Sequence, residues 1–317
     1  MVEISETICR KLDQSQRIVC SLTTIPSRLT DPKLITVLQR LNQQTRPFDQ
    51  IYLTLPKYSR RLGTEYPPVP LSVQKYCSPV TIDNDYGPIT KIVGGLIQEK
   101  DPNTLIITCD DDIYYPATLV EELLMRHQTN PQAALCFSGI SVGQFPAYVA
   151  TVLAYDIMRK GWWFNLKLPK NRYQGRPIDI LFGFSGVLYV RKFFPSTFAQ
   201  IEDELLKYSY RHSDVYHHDD VLLSSYLCSQ GIERRAFEAP FLVYNSYMGN
   251  ALSDNNCINP KFVCAFFRAL NQCQKWKLFI KREPLDFFNT ITGPFFLLLI
   301  FILIILLYLV CSKRSKR

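Results

Sequence analysis

The chain has 317 residues and a mass of 36.7 kDa, with 47% hydrophobic, 20% charged and 13% aromatic residues. Glycine and proline number 13 and 20, too few for a collagen-like or low-complexity architecture. A chain of this length buries about three quarters of its unfolded surface, so it needs no disulfide or metal staple. The formal net charge is +8, but Lys313, Arg314, Lys316 and Arg317 cluster at the very end. The excess left without them is too slight to imply a nucleic-acid partner.

Short apolar runs alternate with helical patterns, which predicts an α/β sheet. Residues 17–25 (RIVCSLTTI) read as a first strand that ends at Pro26. Leu34, Ile35, Val37, Leu38 and Leu41 recur at helical spacing within residues 32–44. Residues 50–56 form a second strand, and a weaker third lies around 80–82. A helix at 89–100 leads through Asp101-Pro102-Asn103 into the strand TLIITCDDD, residues 104–112. A helix at 116–127 and a strand at 133–140 follow. Residues 143–180 are rich in aromatic and turn residues and read as an inserted loop or flap. FGFSGVLYVR (182–191) is a strand, and HHDDVLLSSYLCSQGI (217–232) sets two histidines and two aspartates at the start of a helix. Beyond Ala239 the pattern is irregular, and residues 261–282 are basic and bear aromatics.

Residues 291–311 carry no charge. As a helix these 21 residues span about 30 Å, the thickness of a bilayer core, and predict a transmembrane segment. Four basic residues stand on each side, so the positive-inside rule favours neither orientation. The N-terminal residues lack the basic and apolar regions of a secretory signal, so the expectation is a C-terminal anchor with the main domain facing the cytosol. Cys20, Cys109 and Cys136 lie in or beside apolar runs and no CxxC pair occurs, in keeping with a reduced compartment. The expected organisation is a catalytic domain over 1–245, a juxtamembrane segment over 246–290, the membrane helix over 291–311 and a basic tail over 312–317.

Asp110, Asp111 and Asp112 stand where an apolar strand leaves its sheet, the usual position of ligand sites in open α/β folds. Adjacent carboxylates repel, so clustering them costs stability unless a cation compensates. Mn²⁺ or Mg²⁺, hard cations that take oxygen ligands and phosphates, are suited to that task. The bland alternative is an acidic turn.

At IITCDDDIYYP the chain resembles glycosyltransferases of the GT-A fold, family-2-like nucleotide-sugar transferases with a DxD motif after an apolar strand. The resemblance implies a Rossmann-like mixed sheet flanked by helices, a divalent cation bridging the two phosphates of a nucleotide-sugar, Asp112 as direct ligand and Asp110 as a contact to ribose or metal. It extends over about residues 18–238. SLTTIPSRL resembles the loop that contacts base and ribose, which implicates Thr23, Thr24 and Arg28. DNDYGPITK implicates Asp85 against the base and Lys91 near the phosphates, with Asp110 and Asp111 completing the donor site. HHDDVLLSSYL resembles the acidic pair with which inverting members hold their general base. Asp220 would take the acceptor hydroxyl's proton, with Asp219 as the alternative; plain helix capping is the competing explanation. The usual Glu of that pair is Asp219 here. His218, or His217, could complete the metal shell as a late histidine does in some members. Gly183, Ser185 and Gly186 would let backbone approach donor or acceptor, and Trp162 and Trp163 could stack on a sugar or simply pack.

The expectation is therefore a membrane-anchored, metal-dependent, inverting glycosyltransferase acting on a glycan, protein or lipid acceptor. A haloacid-dehalogenase-type phosphohydrolase expects Thr or Val where Tyr114 stands. A nucleotidyltransferase expects a Gly-rich basic N-terminal loop, which is missing. A catalytically dead membrane adaptor would have no need of intact acids at both places.

Overall fold

The computed structural model describes residues 15–141, 174–240, 244–245 and 260–278. All of them belong to one of the chain's two compact units, formed by Met1–Val142 and Lys167–Phe279. Among the described residues no helix is long and apolar enough to cross a membrane. The expected membrane helix, the basic tail, Trp162 and Trp163 all lie outside the described residues.

β1 (Ile18–Thr23) is buried along nearly its whole length, as expected of a central strand covered on both faces. α1 (Pro32–Asn42) starts where Asp31 accepts a hydrogen bond from the Lys33 N–H at 2.9 Å, and it buries Leu34, Val37, Leu38 and Leu41. β2 (Gln50–Pro56) and β3 (Ser78–Ile82) follow, then α2 (Thr90–Gln98) and β4 (Leu105–Thr108). α3 (Leu119–Thr129), β5 (Ala133–Cys136), β6 (Gln174–Pro177) and β7 (Val187–Val190) come next. α4 (Asp219–Ser229), β8 (Glu233–Phe237) and α5 (Pro260–Lys275) complete the set.

The eight strands form one sheet in the order β6-β8-β5-β7-β4-β1-β2-β3. β3, β2, β1 and β4 are mutually parallel, and the direction of winding reverses between β1 and β4. In open α/β sheets ligand sites form at such a reversal, at the carboxyl ends of the strands. β7 runs antiparallel between β4 and β5, with Val187 opposite Thr108 and Val190 opposite Leu105. The segment entering β7 is therefore brought to the same end of the sheet as the segment leaving β4.

α2 lies unusually close to the sheet because of two glycines. A side chain at Gly94 would collide with Thr54 Oγ1, and one at Gly95 would come within 2.9 Å of Ile106. In place of side chains, the Gly94 and Gly95 amides donate at 3.0 Å to the hydroxyls of Thr54 and Ser21. This seating fixes the first turn of α2, which carries Lys91.

The structure departs from the sequence expectations in several places: the end of the stretch expected as an inserted loop, residues 143–180, forms β6 at the edge of the main sheet and pairs antiparallel with β8. Residues 182–191 are a 3-10 turn, Gly183–Ser185, followed by β7, because Gly186 turns the chain at φ +82°. Residues 133–140 are two strands, β5 and Gly139–Ile140, the second paired antiparallel with Ile180–Leu181 outside the main sheet. β8 and α5 are not anticipated by the sequence pattern. β8 is a polar strand (ERRAF) whose Arg234 is buried but donates to the carbonyls of Asp179 and Ile232 at 3.0 and 2.8 Å. α5 packs against α4 and buries Phe266, Ala269, Leu270 and Cys273.

Candidate active site

At the carboxyl ends of β1 and β4, side chains that follow the two strands meet. Beyond β1, Pro26–Arg28 form a 3-10 turn that folds the Arg28 side chain inward, leaving it only 7% exposed. Arg28 Nη1 donates to Asp111 Oδ1 at 2.7 Å and lies 3.3 Å from Asp112 Oδ2. Thr24 donates its hydroxyl to the other oxygen of Asp111 at 2.5 Å, and the Thr24 carbonyl accepts from the Tyr66 hydroxyl at 2.7 Å. The Asp110 amide donates to the Tyr115 hydroxyl at 2.8 Å, which pins the acidic turn where it leaves β4. Burial raises the proton affinity of Asp111 while Arg28 and Thr24 oppose the rise. Burial, with Asp111 and Asp110 adding repulsion, pushes Asp112 up to about 7.

The second acidic pair arrives at the opening of α4. The Gly183 amide donates to Asp220 Oδ1 at 2.9 Å, and Ser224 on the next turn accepts from the Leu181 amide at 2.9 Å. These two bonds lock α4 against the turn that precedes β7. Burial, and then the neighbouring Asp219, drives the proton affinity of Asp220 well above the carboxylate range. Lys91 joins the two acidic groups: its ammonium lies 2.8 Å from Asp110 Oδ1 and 2.8 Å from Asp219 Oδ2. Burial pulls the lysine down, but Asp110, Asp219 and Asp220 together outweigh it and hold the ammonium well above its ordinary range.

Thr24, Arg28, Lys91, Asp110, Asp111, Asp112, Asp219 and Asp220 are thus brought into one cluster. Thr23 is placed otherwise, its hydroxyl donating to the Thr54 carbonyl at 2.7 Å within the sheet. Asp85 accepts from the amides of Arg60 and Gly87, at 2.8 and 2.7 Å, and from the Tyr216 hydroxyl at 2.9 Å. It ties the loop after β2 to the segment before α4. Gly87 is required there: at φ +77° its missing side chain leaves room for the Tyr216 carbonyl, 2.6 Å from where a Cβ would stand. His218 is buried with its ring edge-on to Phe266, centroids 5.8 Å apart, and its charged neighbours are His217, Asp214 and Arg268. Burial first, and His217 next, hold it at about 4. Ser185 is buried and donates to the Phe182 carbonyl at 3.3 Å.

Sequence reasoning missed Arg60, Arg61, Tyr66 and Tyr216. Arg60 lies over the rings of Tyr210 and Tyr216, 4.3 and 4.9 Å from their centroids. Arg61 is pulled below its usual range by burial and by Arg28, while Asp111 partly offsets them. The Arg60-Arg61 pair between two strands is the available signal; the tyrosines have none, because their partners are far away in sequence.

The charge balance bears on whether a cation fits. Asp110, Asp111, Asp112, Asp219 and Asp220 share the cluster with Arg28 and Lys91, and Arg61 brings a third positive charge near Asp111. Asp219 Oδ2 is buried with no aligned hydrogen bond, its pairing with Lys91 being ionic alone. Among the described residues no three His, Cys, Asp or Glu side chains close into a cage. Mg²⁺ and Mn²⁺ need no such cage when phosphates and water supply the remaining ligands. Asp110 pairs with Lys91 and Asp112 lies near Arg28, and a divalent cation held by these two carboxylates would take its remaining ligands from phosphate and water, while the His218 ring is set against α5.

No protein-family model and no curated protein matches this sequence. Among the solved structures similar to it are three of TarS from S. aureus. The first has a TM-score of 0.48 at 11% identity, covering 87% of this chain and 40% of that one. TarS 1-349 scores 0.42 at 12% identity, covering 73% and 60% of the two chains. TarS 1-349 in complex with UDP-GlcNAc scores 0.46 at 12% identity, covering 81% and 66%. The chain therefore spans less than two thirds of the length of each of these three chains.

Proposed function

We propose that this protein is a divalent-metal-dependent glycosyltransferase of the GT-A type, moving a sugar from a nucleotide-sugar to an acceptor hydroxyl with inversion. The observation that carries the reading is the meeting of Asp110–Asp112 and Asp219–Asp220 at one end of the sheet, with Lys91 between them. Asp110 and Asp112 would hold Mn²⁺ or Mg²⁺, which supplies positive charge against the leaving diphosphate. Asp220, held by the Gly183 amide beside Asp219, would take the proton as the acceptor oxygen attacks, a role that requires it to be ionised first because burial raises its proton affinity. Asp219 sustains that basicity as the adjacent carboxylate. Arg28 and Thr24 keep Asp111 turned inward, so the loop after β4 holds one shape. The 291–311 segment would anchor the enzyme in a membrane, with this unit on the cytosolic side and a glycan, protein or lipid as acceptor.

The test is thermal unfolding of the full chain in detergent with UDP, GDP and other nucleoside diphosphates, each with and without Mn²⁺. A ligand at ~100 times its dissociation constant stabilises by about 2.7 kcal/mol. A manganese-dependent shift with one nucleotide, lost in Asp112→Ala, is expected. No shift with any nucleotide from a folded sample removes the transferase reading. NMR of the product's anomeric configuration then tests inversion, and retention would take Asp220 out of the base role.

A further inference from the structure

Lys91 is the charge that joins the two acidic groups. Its side chain is 7% exposed and pairs with both Asp110 and Asp219 at 2.8 Å. Its carbonyl accepts the Ser21 hydroxyl at 2.5 Å, and that hydroxyl in turn accepts the Gly95 amide at 3.0 Å, so the backbone below the ammonium is fixed to β1. Across from the ammonium lies Gly183, where a Cβ would stand only 2.6 Å away. The lysine is thus held from below and walled from the side, with one carboxylate of each acidic group on its nitrogen.

A divalent cation that takes Asp110 as ligand must share that carboxyl group with a resident ammonium. Like charges a few ångströms apart in a partly buried site repel strongly, and each weakens the other's hold on the shared anion. We propose that Lys91 is an internal counter-ion and positioning residue: it holds Asp219 beside Asp110, and its charge limits how tightly the empty site takes a divalent cation. The cation is then retained chiefly together with the anionic diphosphate. Two consequences follow from one side chain: the acceptor-side acids keep their place before substrate arrives, and the donor-side acids are not saturated by metal alone. This inference rests on the transferase reading for its purpose, and on the ion-pair geometry for its content.

The experiment follows free Mn²⁺ by electron paramagnetic resonance as it is titrated into the nucleotide-free full chain in detergent. Lys91→Met is expected to bind Mn²⁺ at least tenfold more tightly than the natural chain, whereas Lys91→Arg, which keeps the charge, stays within about threefold. The double variant Lys91→Met/Asp219→Asn removes the ion pair as a unit and provides a folded sample if the single variant collapses. It too should gain affinity, by a smaller factor. In a transfer assay, Lys91→Met should lose at least a hundredfold in kcat with no rise in donor KM. Unchanged or weaker Mn²⁺ binding in both neutral variants overturns the proposal. So does a tenfold rise in donor KM, which would make Lys91 a phosphate ligand instead. A gain in Mn²⁺ affinity in a protein that transfers no sugar upholds the counter-ion and discards the transferase reading.

Discussion

Gly183 and Gly186 lie three residues apart in one turn, yet alanine should act on them in different ways. Gly183 does not have a positive φ, so alanine meets no backbone strain there. Its new Cβ would stand 2.6 Å from Lys91 Nζ and 2.9 Å from Asp220 Oδ1, where ordinary contact begins at about 3.4 Å. The ammonium or the carboxylate must therefore move by roughly 0.8 Å, and misplacement of about 1 Å in a catalytic group can cost about a hundredfold in rate. Gly186, at φ +82° and ψ 131°, occupies a conformation that L side chains rarely adopt, and alanine there should cost about 1–3 kcal/mol. Urea denaturation and steady-state transfer, measured on both variants, separate the effects. Gly183→Ala should lose about two orders of magnitude in kcat while stability stays within about 1 kcal/mol. Gly186→Ala should lose stability, and a smaller factor in turnover. Full turnover in Gly183→Ala, or the same loss of stability in both, would refute the reasoning that the turn's first glycine is there to make room for charges.

Arg28 is 7% exposed and serves two carboxylates, so Arg28→Met leaves Asp111 and Asp112 buried without their cation. The expected cost is about 3–5 kcal/mol, read by denaturation, with part of it restored when Mn²⁺ is added. Equal losses with and without Mn²⁺ would argue against a cation on Asp112. His218 offers a pH test. Its folded value of about 4 lies below the ordinary 6.5, so the folded state prefers the neutral ring. The stability this contributes is complete above about pH 6.5 and is lost as pH falls toward about 4, up to about 3 kcal/mol. Urea unfolding at pH 7 and pH 4.5 should show a steeper acid loss in the natural chain than in His218→Gln, and parallel slopes would disprove the assignment.

The acidic groups are legible in the sequence because each stands at a junction that local pattern announces. LIITC is apolar enough to be a buried strand, so the aspartates after it have to emerge at an edge of the sheet. VLLSSYL follows Asp219-Asp220 with helical spacing, so that pair has to open a helix. What joins them is not legible. Lys91 reads as a phosphate ligand in sequence, and only the packing of α2 on β1 and β2 brings it between Asp110 and Asp219. β8 is hidden because its alternation is carried by arginines, and Arg234 is buried only through carbonyls supplied by Asp179 and Ile232. α5 has helical spacing in Phe266, Ala269, Leu270 and Cys273, but its basic residues and the neighbouring apolar segment make it read as a membrane flank.

The antiparallel strand explains why this site forms at all. With β1, β2, β3 and β4 alone, the switch point would present the three aspartates and Arg28 to open solvent, a donor-like crevice with no second wall. β7 enters beside β4 in the opposite direction, so the turn ahead of it, Gly183–Ser185, must lie at the carboxyl end of β4. That turn then carries α4 with it through the Gly183–Asp220 and Leu181–Ser224 bonds. Two acidic groups from distant parts of the chain are thereby pressed together, a repulsive arrangement that the sheet imposes. Lys91 and Arg28 offset part of that repulsion, and burial raises the proton affinities of Asp112 and Asp220 against the rest, so a cation that took these carboxylates would have to displace protons from them.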